Sequence, residues 1–364
     1  MDCFDGWREG NSYPIVGTEP STHKQSAGGR TKITESRMAG LFCLFLLIAW
    51  GLGYPTLNRY DPRQTPGLTD VRSYAAMVTG APTVDAGHLR FRVLVPWVAR
   101  PFYQLAKGRF ASWDPAMFGI LVADALFVAA TALLIVVLGT RNMDRYVVSL
   151  VGSLLYLLNF AVPNLRLAGL VDAGEGFFLL ALLWSLSELK LWTLPFVAAL
   201  GALTKESFIP ISIVFMAAWW FVVRKKLASP ARSAIWIISS WVVGLVAMTG
   251  LQWWIGGRFL SPVEFAAALH GNHDYLRHFA SSLWDQNFWY VFLWLLPAGI
   301  PKLGRFPKSW LIPTGAASAM VFVLDGYYGG APGTVGRALF SVAGPLLSLS
   351  SAALLVEGPG KGVR

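Results

Sequence analysis

The chain of 364 residues is 55% hydrophobic and only 14% charged, whereas soluble domains carry close to a quarter charged residues. This composition is typical of a membrane protein, and it excludes an ordinary soluble domain. The formal net charge of +10 comes without a basic block interleaved with aromatic residues, so we attribute it to cytoplasmic loops rather than to nucleic-acid binding. Cys3 and Cys43 are too few for a disulfide framework or a metal knuckle.

The polar residues 1–37 predict a disordered cytoplasmic tail, because this composition buries little apolar surface. The tail is too long and too mixed in charge to begin a signal peptide, so the first apolar segment is expected to be retained as a membrane span. Residues 38–356 are expected to form one transmembrane domain with outer loops at about 56–115 and 256–285. Residues 357–364 are expected to form a second cytoplasmic tail.

The apolar segments predict an all-α polytopic membrane protein with about ten transmembrane helices, since a helix crosses the bilayer with roughly 17–25 apolar residues. The segment 93–106 is too short to cross, and it contains Arg100 and two prolines, so we expect an interfacial or re-entrant helix there. The predicted spans are 38–55, 116–138, 146–163, 170–187, 191–204, 207–223, 233–255, 286–301, 309–325 and 333–356.

The orientation follows from the basic residues of the short loops, which are concentrated on the cytoplasmic side of membrane proteins. With the N-terminus inside, the inner loops carry most of this charge, and both termini are cytoplasmic. The long first outer loop is also basic, but long loops influence orientation less. The inner basic residues are Arg141, Arg145, Lys190, Arg224, Lys225, Lys226, Arg232, Lys302, Arg305 and Lys308.

The stretch GALTKESFIP, residues 201–210, places Lys205 beside Glu206 in apolar surroundings. Residues 191–223 are barely long enough for two spans, so they predict a tight hairpin whose turn is drawn below the outer surface. Lys205 and Glu206 would then lie in an outward-facing cavity, and ionisable residues at membrane depth mark functional sites. The alternative is a hydrated ion pair in a turn.

Other unusual charges are predicted on the same outer side. Asp70 heads a short helix after the first span, where it is a candidate catalytic group or a simple helix cap. Asp172 and Glu175 are three residues apart, which places both on one helix face, and they also fit a role at the helix N-terminus. The remaining outer charges are Asp124 in the second span, Arg166 before the fourth span and Arg337 at the start of the last span, where an interfacial anchor is the alternative.

The stretch HGNHD in the second outer loop contains His270, His273 and Asp274, which are residue types that bind metals. A divalent metal is possible there, but we predict neither a metal nor another cofactor. The sequence also lacks a Walker motif, a G-x-S-x-G motif, an H-E-x-x-H motif and an evident internal repeat.

The arrangement of these motifs resembles the GT-C superfamily of integral-membrane glycosyltransferases, which use polyprenyl-phosphate-linked sugars. TDVRSYAAMV followed by HLRFRVLVPWVARPF matches the acidic first outer loop and its juxtamembrane helices, with Asp70 at the acidic position. GALTKES resembles a Lys-Glu turn of bacterial members, and GRALFSVAGPLL resembles their late Arg-containing span. The resemblance covers about residues 38–350, although Val71 replaces the second acid that some members carry.

This resemblance implies inverting sugar transfer at the outer face of a bacterial cell membrane, from a polyprenyl-phosphate donor to a glycan or lipid acceptor. Asp70 would be the general base that accepts the acceptor hydroxyl proton. Glu206 would orient Lys205 or bind an acceptor hydroxyl. The donor phosphate would be held by Lys205, Arg337, Arg90 and Arg92, and the supporting residues would be Asp172, Glu175, Arg166 and Asp124.

A secondary transporter or lipid flippase is the main alternative, because its membrane-embedded carboxylates would carry protons or substrate, and Asp124 is its best support. Carboxylates at the membrane midplane that are accessible from both sides would favour transport. A non-catalytic assembly subunit is a third interpretation, favoured by an outer face without a cavity beside Asp70.

Overall fold

The computed structural model describes residues 34–59, 69–81, 87–109, 112–143, 145–257, 275–328 and 334–358. These residues form helices and connecting turns, and no strand occurs among them. The helices are α1 Glu35–Gly53, α2 Thr56–Arg59, α3 Thr69–Thr79, α4 Leu94–Ala106, α5 Pro115–Met143, α6 Tyr146–Leu158, α7 Asp172–Ser187, α8 Leu194–Ala202, α9 Phe208–Val223, α10 Pro230–Gly256, α11 Tyr275–Leu283, α12 Gln286–Phe292, α13 Leu295–Gly299, α14 Lys308–Tyr328 and α15 Thr334–Glu357.

Five helical segments of the described chain are both long and apolar enough to cross a membrane. The predicted class, a helical membrane protein, is confirmed at this level. The segments are Glu35–Gly53, Pro115–Met143, Phe208–Lys226, Pro230–Gly256 and Thr334–Glu357.

The other five predicted spans are shorter, broken or less apolar, so the number ten is not confirmed. The helices α6, α7 and α8 have 13, 16 and 9 residues. The predicted span 286–301 is divided into α12 and α13. The helix α14 has 21 residues, but its mean hydropathy is lower than that of the five candidate membrane-spanning segments.

The helices α5 and α15 form the centre of the bundle, and α1, α9 and α10 lie at its edge. In the most apolar stretches of α5 and α15, 61% and 78% of the residues are buried, against 17% in α1 and 28% in α10. The short helix α4, at the predicted segment 93–106, lies so close to α5 that a Cβ on Gly119 would be 2.7 Å from the carbonyl oxygen of Ala99.

The predicted hairpin forms from α8 and α9, and its turn, 203–207, lies between α4 and α7. Gly201 makes the turn possible, because any side chain there would collide with the ring of Phe208. The amide of Leu94 donates to the carbonyl of Leu203 at 3.0 Å, which fixes the turn to the start of α4. Lys205 and Glu206 are therefore held between two packed helices.

Candidate functional site

The described structure brings most of the predicted outer charges together at one end of the helices. They come from the start of α3, the residues just before α4, the start of α7, the turn 203–207 and the start of α15. We call this group the outer cluster. It consists of Asp70, Tyr74, His88, Arg92, Asp172, Glu175, Lys205, Glu206, Ser207 and Arg337.

Arg92 and Glu206 form an ion pair whose side chains are only 10% and 13% exposed. The Nε of Arg92 donates to Oε2 of Glu206 at 2.8 Å, and Nη2 donates to Oε1, which gives a two-point contact of planar groups. Burial alone would raise the pKa of the Glu206 carboxyl, but the charge and hydrogen bonds of Arg92 outweigh burial and lower it to about 2. The pKa of Arg92 is raised, because Glu206 outweighs the effect of burial.

Arg92 also connects this pair to the predicted base. Its Nη1 donates to the hydroxyl of Tyr74 at 3.0 Å and lies 3.9 Å from Oδ2 of Asp70. Asp70 and Tyr74 are four residues apart on α3, so both face Arg92. The side chain of Asp70 is 34% exposed, against 13% for Glu206, which makes Asp70 an accessible carboxylate.

Lys205 is held by the two carboxylates at the start of α7. Its Nζ donates to Oδ1 of Asp172 at 2.9 Å and to Oε2 of Glu175 at 3.4 Å, and Ser207 Oγ donates to Glu175 Oε1 at 2.5 Å. Burial lowers the pKa of the Lys205 ammonium, but the two carboxylates outweigh burial and raise it. The predicted common face of Asp172 and Glu175 is thus the face to which Lys205 binds.

Glu206 and Lys205 do not pair with each other in the described structure, so the alternative of an ion pair within the turn is not found. These side chains are adjacent on a tight turn, so Lys205 reaches α7 while Glu206 reaches Arg92 on the other side. Arg337 joins the α7 side, with Nη1 3.6 Å from Oδ2 of Asp172. Its side chain is only 15% exposed, so Arg337 faces the cluster rather than the membrane surface.

Arg90, the fourth predicted phosphate-binding cation, forms no ion pair with the described residues. Its guanidinium lies over the ring of Phe91 at 4.8 Å, and its buried Nε has no hydrogen-bond partner in the described structure. Arg90 is two residues before Arg92 in the chain, and no described carboxylate pairs with its charge.

His88 and Tyr74 belong to the cluster although the sequence analysis does not single them out. His88 Nε2 lies 3.7 Å from Glu206 Oε1, and the side chain is 40% exposed. Burial lowers the pKa of His88 despite the opposing effect of Glu206, so this imidazole is neutral at neutral pH. The spacing of Tyr74 four residues after Asp70 is a usable sequence signal, whereas nothing local connects His88 with Glu206.

Arg166 and Asp124 are buried, and neither forms a hydrogen bond or an ion pair with the outer cluster in the described structure. The guanidinium of Arg166 donates to the hydroxyl of Tyr156 at 2.8 Å and to Ser341 Oγ at 3.0 Å, and it lies 5.1 Å from the ring of Phe340. Asp124 is completely buried, and neither carboxylate oxygen has a hydrogen-bond partner among the described residues. The structure therefore does not bring these two residues together with Asp70.

The metal candidates His270, His273 and Asp274 lie outside the described residues. Within the described part of the chain, no group of three His, Cys, Asp or Glu residues is placed to hold a metal ion.

The outer cluster has an excess of negative charge. Its three cations, Arg92, Lys205 and Arg337, face four carboxylates. Asp70 has the longest ionic contact of the four and the greatest exposure, so it is the carboxylate best able to accept a proton from a ligand.

The comparisons with known proteins yield no relative. No protein-family model matches the chain, and no match is found among the curated proteins or the solved structures. The fold and composition define the class, which is a helical membrane protein with a charged cluster at one end of its bundle.

Proposed function

We propose that the chain is a membrane glycosyltransferase of the GT-C type, which moves a sugar from a polyprenyl-phosphate donor to an acceptor hydroxyl with inversion. The observation that carries the proposal is the accessible Asp70 carboxylate, placed 3.9 Å from Arg92 in a cluster of buried ion pairs. Such a group suits proton abstraction, and the surrounding cations suit a phosphate.

In the proposed reaction the acceptor hydroxyl oxygen attacks the anomeric carbon of the donor sugar. Its proton passes to Asp70, the bond from the anomeric carbon to the phosphate oxygen breaks, and the polyprenyl phosphate leaves. Negative charge grows on the phosphate as this bond breaks, so nearby cations stabilise the transition state. Arg92 holds Asp70 in place, because its guanidinium is itself fixed by Glu206 and Tyr74.

The cations proposed to contact the phosphate differ in whether a carboxylate already pairs with them. Lys205 and Arg337 share Asp172, so a bound phosphate would compete with that carboxylate for both cations. Arg90 has no carboxylate partner among the described residues, so it is the cation most available to the phosphate. Arg92 is committed to Glu206, and we assign it to positioning Asp70 rather than to the donor.

The membrane arrangement of the proposal includes the shorter helices. The apolar helices α6 and α8, together with α7, the broken segment α12–α13 and α14, would complete about ten crossings around α5 and α15. The juxtamembrane helices α3 and α4 would lie at the outer face beside the cluster. In this arrangement the outer face would hold Asp70, Lys205 and Arg337, as the proposed transfer at the outer surface requires.

The transporter alternative has less support. It needs membrane-embedded carboxylates that are open to both sides, but Asp124 is completely buried, and Asp172 and Glu206 lie in the one-sided outer cluster. A transporter would move labelled donor across a vesicle membrane without breaking the sugar–phosphate bond. A non-catalytic subunit would neither move nor consume it.

The test is incubation of the purified protein with a panel of polyprenyl-phosphate sugars and acceptors, with loss of donor as the readout. We expect one donor to be consumed, and we expect Asp70→Asn to bind it normally but to turn over roughly 10²–10⁴-fold more slowly. The matched control is Asp285→Asn, because Asp285 only caps α12 through the amide of Asn287. Near-normal turnover of Asp70→Asn would remove the central residue of the proposal.

A further inference from the structure

The end of the bundle opposite the outer cluster carries an exposed basic group that the proposed function does not use. The helices α9 and α10 are joined by a turn that begins with Arg224, Lys225 and Lys226, and Arg232 follows in the first turn of α10. All four side chains are exposed. We call these four residues the basic turn.

Unlike Arg141, Arg145 and Arg305, the four residues of the basic turn have no acidic partner among the described residues. Arg141 is paired with Glu188, and Arg145 is paired with Glu357 at 2.9 Å. None of the ion pairs formed by the described residues involves the four cations of the basic turn. No described carboxylate therefore neutralises their charge, so these cations can bind an external anion.

The surroundings of the basic turn match a membrane interface. The guanidinium of Arg224 lies 5.3 Å from the ring of Trp220 and 5.1 Å from that of Phe221, which is 61% exposed. The indole Nε1 of Trp220 donates to the carbonyl of Pro230 at 3.3 Å, which ties the end of α9 to the start of α10. The cations are thus presented on a supported turn beside an exposed ring.

An exposed aliphatic stripe continues from the basic turn along α10. Its members follow Arg232 at intervals of three or four residues, so they share its helix face. Only 28% of the most apolar stretch of α10 is buried, which leaves this face open to lipid. The stripe consists of Ile235, Ile238, Val242 and Val246, which are 52–63% exposed.

From this juxtaposition we propose that the basic turn and the α10 stripe form a binding site for an anionic phospholipid. The phosphate-bearing headgroup contacts Lys225, Lys226 and Arg232, and the acyl chains lie along the stripe. Each basic residue next to a membrane helix strengthens binding to anionic lipid by about fivefold. The site is independent of the proposed sugar transfer.

The experiment is native mass spectrometry of the full chain with an equal mixture of phosphatidylglycerol and phosphatidylcholine that have the same acyl chains. Wild type should retain phosphatidylglycerol preferentially, and 500 mM salt during loading should reduce that preference. Lys225→Gln/Arg232→Gln should lower the preference by roughly 25-fold, because two basic residues are lost. The matched control is Lys107→Gln/Arg109→Gln, which removes two exposed cations elsewhere and should retain the preference.

Equal retention of the two lipids by wild type would overturn the proposal. So would equal losses in the test and control variants. If the stripe instead binds a second copy of the chain, the spectra would show a dimer without lipid preference that Val242→Asn dissociates, and this result would also overturn it. The salt dependence of wild type keeps the test valid even if a variant is poorly folded.

Discussion

At the scale of single residues, the role proposed for Lys205 predicts how strongly the donor binds to a variant. Lys205→Met removes a charge-assisted contact to the proposed phosphate, so donor affinity should fall roughly ten- to hundredfold. The transfer step should slow as well, because charge on the phosphate grows in the transition state. Donor titration and single-turnover rates in monodisperse protein measure the two effects separately.

The control for Lys205→Met is Lys205→Arg, which keeps the positive charge beside Asp172 and should keep most of the donor affinity. A merely structural lysine behaves differently: Lys205→Met would lower stability and leave the affinity of the folded fraction unchanged. Unchanged affinity would therefore remove Lys205 from the phosphate site.

Glu206 makes a prediction about pH. Because its folded pKa is about 2, below its usual value of 4.5, the stability it contributes is present above pH 4.5 and is lost as the pH falls towards 2. Glu206→Gln removes the two-point partner of the buried Arg92, leaves only the more distant Asp70 carboxylate near it, and should be markedly less stable at neutral pH. The difference in unfolding free energy between wild type and this variant should shrink by about 2 kcal/mol between pH 6 and pH 3.

Thermal unfolding in detergent across this pH range measures that difference as a narrowing gap in Tm. Glu188→Gln is the comparison, because its partner Arg141 is 53% exposed and such a pair contributes little. A gap that stays constant with pH would show that Glu206 is not the titrating group.

The sequence predicts some residues of the outer cluster and not their partners. The spacing of Asp172 and Glu175 predicts a shared helix face, and this face is where Lys205 binds. The partner of Glu206 is 114 residues away on another element, so local spacing carries no information about it. Long-range pairs depend on how helices pack, which the periodicity of one helix does not determine.

At the scale of single elements, the hairpin turn depends on Gly201. A methyl group at this position would meet the ring of Phe208, so Gly201→Ala should lower the Tm in detergent by overpacking the α8–α9 contact. The matched control is Gly250→Ala, because Gly250 lies in α10 with no atom within 4 Å of the added carbon. That substitution should leave the Tm unchanged or raise it, since Ala favours a helix over Gly. Equal changes in both variants would contradict the close packing at Gly201.

The sequence predicts long apolar helices well and broken ones poorly. The predicted span 207–223 agrees closely with α9, Phe208–Val223, because its apolar run begins and ends at charged or polar residues. The predicted span 286–301 is not one continuous helix, since Pro297 and Pro301 each lack a backbone donor and the chain there divides into shorter helices. Apolar composition alone does not reveal where backbone hydrogen bonding is interrupted.

At the scale of the whole molecule, the charges are separated between the two ends of the bundle. The outer cluster combines buried cations and carboxylates, whereas the basic turn at the other end is exposed and carries only positive charge. Exposed basic residues in short loops face the cytoplasm. The outer cluster should then face the opposite side, where lipid-linked sugars of the proposed kind are used.

Cysteine labelling tests this orientation on intact cells, in a background where Cys3 and Cys43 are replaced by serine. Ala81→Cys, exposed after α3, should react with a membrane-impermeant thiol reagent, and Ala228→Cys, exposed in the turn before α10, should not. Permeabilised cells provide the control, because there both cysteines should react. If only Ala228→Cys is labelled in intact cells, the protein has the opposite orientation in the membrane. Asp70 would then face the cytoplasm, and the outward-facing reaction would be excluded.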